Sequence, residues 1–156
     1  MRDLGQTLIQ LLYISRPAPG VGLDDLHTIV RDAQKRNSQL GITGILSFGR
    51  HYFLQALEGQ EYQVNQCLDT IRSDSRHSDI QVIYQHAIEE RWFPAWPMAY
   101  VPKPLLIEIL RSAGLPLDWT DVDAHIRSWN KGQATQALSV IRREPQLNIA
   151  HHNPSA

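Results

Sequence analysis

"GILSFGRHYFLQALEG", residues 44–59, is the stretch whose reading decides the fold. Two strand-like runs, "GILSFG" and "HYFLQALEG", meet at Gly49-Arg50. A glycine-containing break between apolar runs predicts a β-hairpin. In the second run Tyr52, Phe53, Leu54, Ala56 and Leu57 are apolar at both parities, the pattern of a strand covered on both faces. Gln55 sits in its middle. A primary amide has two donors and two acceptor lone pairs, and burying them unpaired costs on the order of 1–3 kcal/mol. Gln55 therefore needs a partner.

The surroundings complete the pattern. After the hairpin, Val64, Cys67, Leu68 and Ile71 share one face of a helix expected over 61–73. Before it, a helix is expected from Leu23, with Asp24 and Asp25 in the first turn, where the helix dipole favours carboxylates. Leu26, Ile29, Val30 and Ala33 form its apolar face, and Gly41 its stop. "TLIQLLYIS" (7–15) is a strand apolar on both faces, and "RPAPGVG" (16–22) is a loop. "SDSRHSD" (73–79) reads as a turn and "IQVIYQHAI" (80–88) as a strand. "RWFPAWPMAYV" (91–101) is extended, but Pro94 and Pro97 each remove a ladder donor, so it is an edge or irregular strand.

The order β-α-β-β-α-β is the ferredoxin-like α+β arrangement, with an added fifth strand. It defines a domain over residues 1–101. Residues 102–156 read as a helical appendage and tail: a helix over 105–114, a connector in which Asp118 or Thr120 caps the next helix, and helix through 121–143, with Gly132 as its break.

Composition narrows the function classes. The 15 basic and 16 acidic residues nearly cancel, so no cationic surface for nucleic acid or anionic lipid is expected. Cys67 is the only cysteine, which excludes an intrachain disulfide and a thiolate metal cage. No run approaches the ~20 apolar residues of a membrane span, and no signal-peptide pattern opens the chain. The expectation is a cytoplasmic protein without a metal site, His151 and His152 belonging to a polar tail.

Four residues besides these stand where packing residues would serve. Tyr13 lies inside the first strand, Asn37 extends the buried stripe of the first helix, and Trp96 and Met98 share a parity in the last strand. Taken singly, each reads as core or as a local cap. Together with Gln55 they form an ordered set. The segments "LLYIS", "AQKRNSQLGITGIL", "FLQALEG", "DSRHSDI" and "WPM" resemble the BLUF family of blue-light sensors over about residues 8–101.

That resemblance implies a non-covalently held flavin, FAD or the related FMN, between the two helices. It implies that Tyr13 and Gln55 are photoactive, with Trp96 and Met98 beside them, and that Asn37 binds the flavin's polar edge. Gln55 would bridge Tyr13 and flavin, and light would reverse the orientation of its amide. The turn would meet the flavin's tail through Arg76, whose fork suits phosphate, and His77, with Asp74 orienting one of them. Two residues depart from the family pattern. The position before Asn37, often Asn or His in the family, is Arg36, which can donate to a flavin carbonyl. The middle of W-x-M is Pro97.

The function so implied is a photoreceptor and switch rather than an enzyme, since residues 102–156 are too short for a cyclase or phosphodiesterase domain. Its signal would leave through a homo-oligomer or a separate partner protein. The alternatives on the same architecture are an acylphosphatase-like hydrolase, with Arg16 as its anion-binding residue, and a colourless regulatory module.

Overall fold

A computed structural model describes residues 7–144, apart from 116 and 119; His151 and His152 lie outside the described residues. The strands are β1 (Leu8–Pro17), β2 (Thr43–Gly49), β3 (Tyr52–Gln60), β4 (His77–Ala87) and β5 (Ala99–Pro102). The helices are α1 (Leu26–Leu40), α2 (Glu61–Arg72), α3 (Lys103–Ser112), α4 (Val122–Arg127) and α5 (Lys131–Ile141). One sheet has the order β4-β1-β3-β2-β5, with β5 parallel to β2 and the other pairs antiparallel. This is the expected ferredoxin-like arrangement with a short fifth strand on one edge.

Local chemistry sets the boundaries. Gly41 ends α1 in the left-handed conformation at φ +67°, its N–H turned back to the last carbonyls of the helix. Gly44 lets β2 lie against β3, because a Cβ there would stand 1.8 Å from the Ala56 carbonyl oxygen. The hairpin turns through Arg50 and His51.

The sheet is covered on both faces. On one, Ile9, Leu11, Leu46 and Leu57 pack with Val30, Ala33, Val64 and Ile71 of α1 and α2. On the other, Leu12, Ile14, Ile45, Leu54 and Ala56 pack with Leu106, Leu110, Ile126 and Leu138 of α3, α4 and α5. Trp129 packs partly buried against this second cluster.

Three expectations are corrected. β1 and β4 extend into the presumed loop and turn, because Arg16 pairs with Ser78 and Pro17 with His77 after a register shift. Residues 88–98 form no strand, and regular pairing begins only at Ala99, past both prolines. The helix expected over 121–143 is two helices. Asp121 caps α4, accepting from Ala124 N at 3.0 Å, while Asp118 is spent on Thr120. The break precedes Gly132: Asn130 and Gln133 form a reciprocal capping box that starts α5. Among the described residues no helix is long and apolar enough to cross a membrane, and no cluster of metal-ligating side chains is found.

Candidate functional site

The antiparallel register sets Tyr13 directly opposite Gln55, on the sheet face beneath α1 and α2. Directly paired side chains on one face are within reach of each other. The Tyr13 hydroxyl donates to Gln55 Oε1. The other end of the amide, Nε2, points at Met98 Sδ, 3.7 Å away. The buried amide thus has a strong partner on one side and a weak acceptor on the other. Burial pushes the Tyr13 phenol well above the usual tyrosine range, so it keeps its proton at any physiological pH.

Tyr13 and Gln55 form the floor of a narrow cleft of about 40 Å³ between the two helices and the sheet. Leu46 and Phe53 complete the floor, Ile29, Ala33 and Arg36 of α1 form one wall, and Ile71 of α2 stands on the other side. Asp74, Arg76 and His77 close the end at the α2–β4 turn. This donor set suits a flat ring with an apolar body and a polar edge. Apolar side chains flank the space from both helices, an amide and a phenol lie at its base, and a guanidinium stands on one wall.

The turn is tightly organised. Arg76 grips Asp74 through Nε and through Nη2 at 2.7 Å, and reaches Asp32 with Nη1 at 3.1 Å. Hydrogen bonding from Arg76 holds the Asp74 carboxyl below the usual aspartate range, against a smaller opposing effect of burial. His77 is engaged at both nitrogens: Nε2 lies 2.7 Å from the Ile71 carbonyl and Nδ1 2.8 Å from Ser15 Oγ. A neutral ring with its proton on Nε2 satisfies both contacts, Ser15 donating to Nδ1. His77 therefore meets the cleft with its ring rather than with a free donor.

Two other residues sit differently from the sequence expectation. Asn37 is fully buried and stands behind Arg36 rather than lining the cleft. Its Nδ2 donates to the Pro97 carbonyl at 2.8 Å, and its Oδ1 accepts from Arg36 Nε at 3.2 Å and faces Cys67 Sγ at 3.7 Å. Trp96 and Met98 do not share a face. Met98 packs in the cluster under α1 and α2, whereas Trp96 packs against the opposite cluster. Alternation fails because residues 94–98 are not a strand.

Sequence reasoning overlooked a second polar group, on the far face. Gln10 and Glu58 are directly paired across β1 and β3 and are fully buried. Gln10 Nε2 donates to Glu58 Oε2 at 2.7 Å, and the Tyr84 hydroxyl donates to Gln10 Oε1. The signal that singled out Gln55, a polar residue in a strand apolar on both faces, marks Gln10 and Glu58 equally. The hydrolase alternative finds no support at Arg16, whose guanidinium is spent on Asp123 and Asp79, each at 3.2 Å.

The profile of the BLUF family, described as sensors of blue-light using FAD, matches residues 8–99. The chain is 37% identical over 101 residues to the photoactivated adenylate cyclase subunit beta of Euglena longa; the match covers 64% of this chain and 12% of that protein. The chain thus spans only a small part of the curated relatives it matches. Among solved structures, the dark state of the BLUF protein BlrB is 29% identical, with a TM-score of 0.67 over 86% of this chain and 98% of that one. The photo-activated state of BlsA has a TM-score of 0.74 at 24% identity, over 88% and 96% of the two chains, a likeness of fold.

Proposed function

The chain belongs to the BLUF family of blue-light sensors, and on that premise we propose that its light response resides in the amide of Gln55, between Tyr13 and Met98. The protein is a flavin-based blue-light photoreceptor. The observation that carries the finer reading is the Tyr13–Gln55 hydrogen bond at the floor of a cleft flanked by two helices.

Bound flavin supplies blue absorption and, when excited, a strong oxidant. The chain's own residues supply the rest. With that oxidant bound, Tyr13 would be the donor of an electron and of its hydroxyl proton to it, and would recover both in the return. Gln55 turns its amide meanwhile, so that Nε2 rather than Oε1 faces the phenol. Tyr13 can accept from Nε2 as readily as it donates to Oε1, because a phenol does both. A thioether is only a weak acceptor, so the amide gives up little on the Met98 side when it turns Nε2 away from the sulfur. Such a balance suits a reversible switch, since light shifts an equilibrium only by the free-energy difference between its states.

We assign FAD as the flavin, with FMN as the alternative. Ile29, Ala33 and Ile71 would flank the ring, and Arg36 would donate to its polar edge, with Asn37 fixing the Arg36 guanidinium from behind. Arg76 would take a phosphate with the arm now on Asp32. Asp32 is the more exposed of its two carboxylates, and an exposed pair contributes little. Asp74 would keep the guanidinium in plane, and His77 would serve as wall. Trp96 would take no direct part. Residues 1–101 would form the sensor unit and 102–156 the appendage through which a homo-oligomer or a partner protein reads its state.

Absorption spectra of the purified protein in darkness and under blue light test this reading. A yellow protein with a reversible red shift of the flavin band is expected. Persistent lack of colour after reconstitution with FAD and with FMN would overturn it.

A further inference from the structure

Residues 88–98 contain no regular element, yet they carry Pro97 and Met98 to the site. Their far end is fixed by three bonds: Asn37 Nδ2 to the Pro97 carbonyl at 2.8 Å, Gln34 Nε2 to the Met98 carbonyl at 3.0 Å, and Gly44 N to the Trp96 carbonyl at 3.3 Å. The near end is held from the opposite sheet face. Glu58 Oε1 accepts from Phe93 N at 2.8 Å, and its Oε2 accepts from Trp92 N at 3.0 Å and from Gln10 Nε2 at 2.7 Å. Arg91 donates to the Glu58 carbonyl, to Thr43 Oγ1 and to the Gly41 carbonyl, each at 2.8 Å. The same few residues thus tie this segment to β3, which carries Gln55, and to the end of α1, which carries Asn37.

We propose that Glu58 and Arg91 are positioning residues for the photoactive amide: they clasp the head of segment 88–98 and thereby hold Met98 against Gln55. The proposal rests on the flavin-sensor reading. Glu58 lies three residues from Gln55 on the same strand, with its side chain on the other face. It does not reach the cleft, and acts only through the segment. A carboxylate is required by the count of donors. Two backbone N–H groups and an amide N–H converge on it, and a carboxylate presents only acceptors. Burial pushes the Glu58 carboxyl upward, while the bonds from Phe93, Gln10 and Trp92 work the other way. The full burial of this group marks a site built for those donors.

Glu58→Gln in the flavin-loaded full chain is the test. The amide keeps the shape but turns an NH₂ group toward at least one of the converging donors. Flavin occupancy and the size of the red shift are expected to stay as in the wild type, because Tyr13 and Gln55 are untouched. Dark recovery is expected to slow about tenfold, the rate equivalent of ~1.4 kcal/mol and the scale of one charge-assisted hydrogen bond. Hydrogen exchange at the Trp92 and Phe93 amides should quicken. A merely structural role would lower the melting temperature and leave recovery alone. Recovery at the wild-type rate, with exchange at Trp92 and Phe93 accelerated, overturns the proposal. Should Glu58→Gln fail to fold, Arg91→Lys removes the fork from outside the core, and an unaltered recovery rate in that variant is equally decisive. A wild-type protein with no red shift at all overturns the sensor reading and this proposal with it, whereas a normal shift with unaltered recovery in the variants overturns the proposal alone.

Discussion

Tyr13 and Gln55 face each other across β1 and β3, and the phenol donates to the amide oxygen. Their meeting is a consequence of register. A slip of one residue would turn Tyr13 to the face covered by α3, α4 and α5, and would bury Ile14 and Leu12 under α1 and α2 instead. The apolar pattern on both strands therefore places the pair as firmly as it places the core.

Gln55→Leu should retain flavin, since the cleft walls are untouched, and should abolish the light-induced red shift, since no amide remains to turn. The substitution also strands the buried Tyr13 hydroxyl, at a cost of about 1–3 kcal/mol. Difference spectroscopy with thermal melting reads both effects. A normal red shift would refute the role of Gln55.

Tyr13→Phe removes only the hydroxyl. Folding and flavin binding should survive, flavin fluorescence should rise, and the red shift should be lost. Trp96→Phe is the matching control. Trp96 packs on the opposite side of the sheet, so its replacement should leave both fluorescence and photocycle near wild type. The reverse pattern, with Tyr13→Phe silent and Trp96→Phe active, would make Trp96 the electron donor.

The order of elements was legible because it rests on local periodicity: the stripe of α1, the stripe of α2 and the two-faced apolar runs of β1 and β3. The path of residues 88–98 was not. Their backbone bonds to Glu58, Gln34 and Asn37 are tertiary, and no local pattern encodes them. Parity consequently misled at Trp96 and Met98, where no strand exists to alternate. Asn37 was legible as a buried polar residue on the α1 stripe, but the identity of its partners depends on where Pro97 and Arg36 come to lie. The start of α5 failed for a different reason: a capping box at Asn130 and Gln133 outweighs a glycine one residue inside the helix.

Acid should loosen the turn at the cleft's end. Hydrogen bonding from Arg76 lowers the Asp74 carboxyl in the folded state. The unfolded chain therefore takes up the proton more readily, and the Asp74–Arg76 pair stabilises the fold above the unfolded value of 3.8. That stabilisation disappears as pH falls through the lower, folded value. The melting temperature of wild type should exceed that of Asp74→Asn by a constant margin at neutral and mildly acidic pH, and the margin should close in stronger acid. Two parallel curves down to the lowest pH at which the protein remains folded would mean that the pair contributes nothing to stability.

Leu106→Ala separates the two faces of the sheet. Leu106 is fully buried and packs in the cluster with Leu12, Leu54 and Ile126, away from the cleft. Deleting a buried leucine side chain costs about 2–5 kcal/mol, through lost transfer energy and the cavity left behind. The melting temperature should fall accordingly. The cleft is lined from α1, α2 and the other sheet face, so at a temperature where the variant is folded its red shift should equal that of the wild type. Light-dependent change in oligomeric state or in partner binding, followed by size-exclusion chromatography in darkness and light, should weaken, because α3 would no longer be held in one position against the sheet. If Leu106→Ala instead loses flavin while remaining folded, the two faces act as one unit, and a sensor ending near residue 101 is the wrong division.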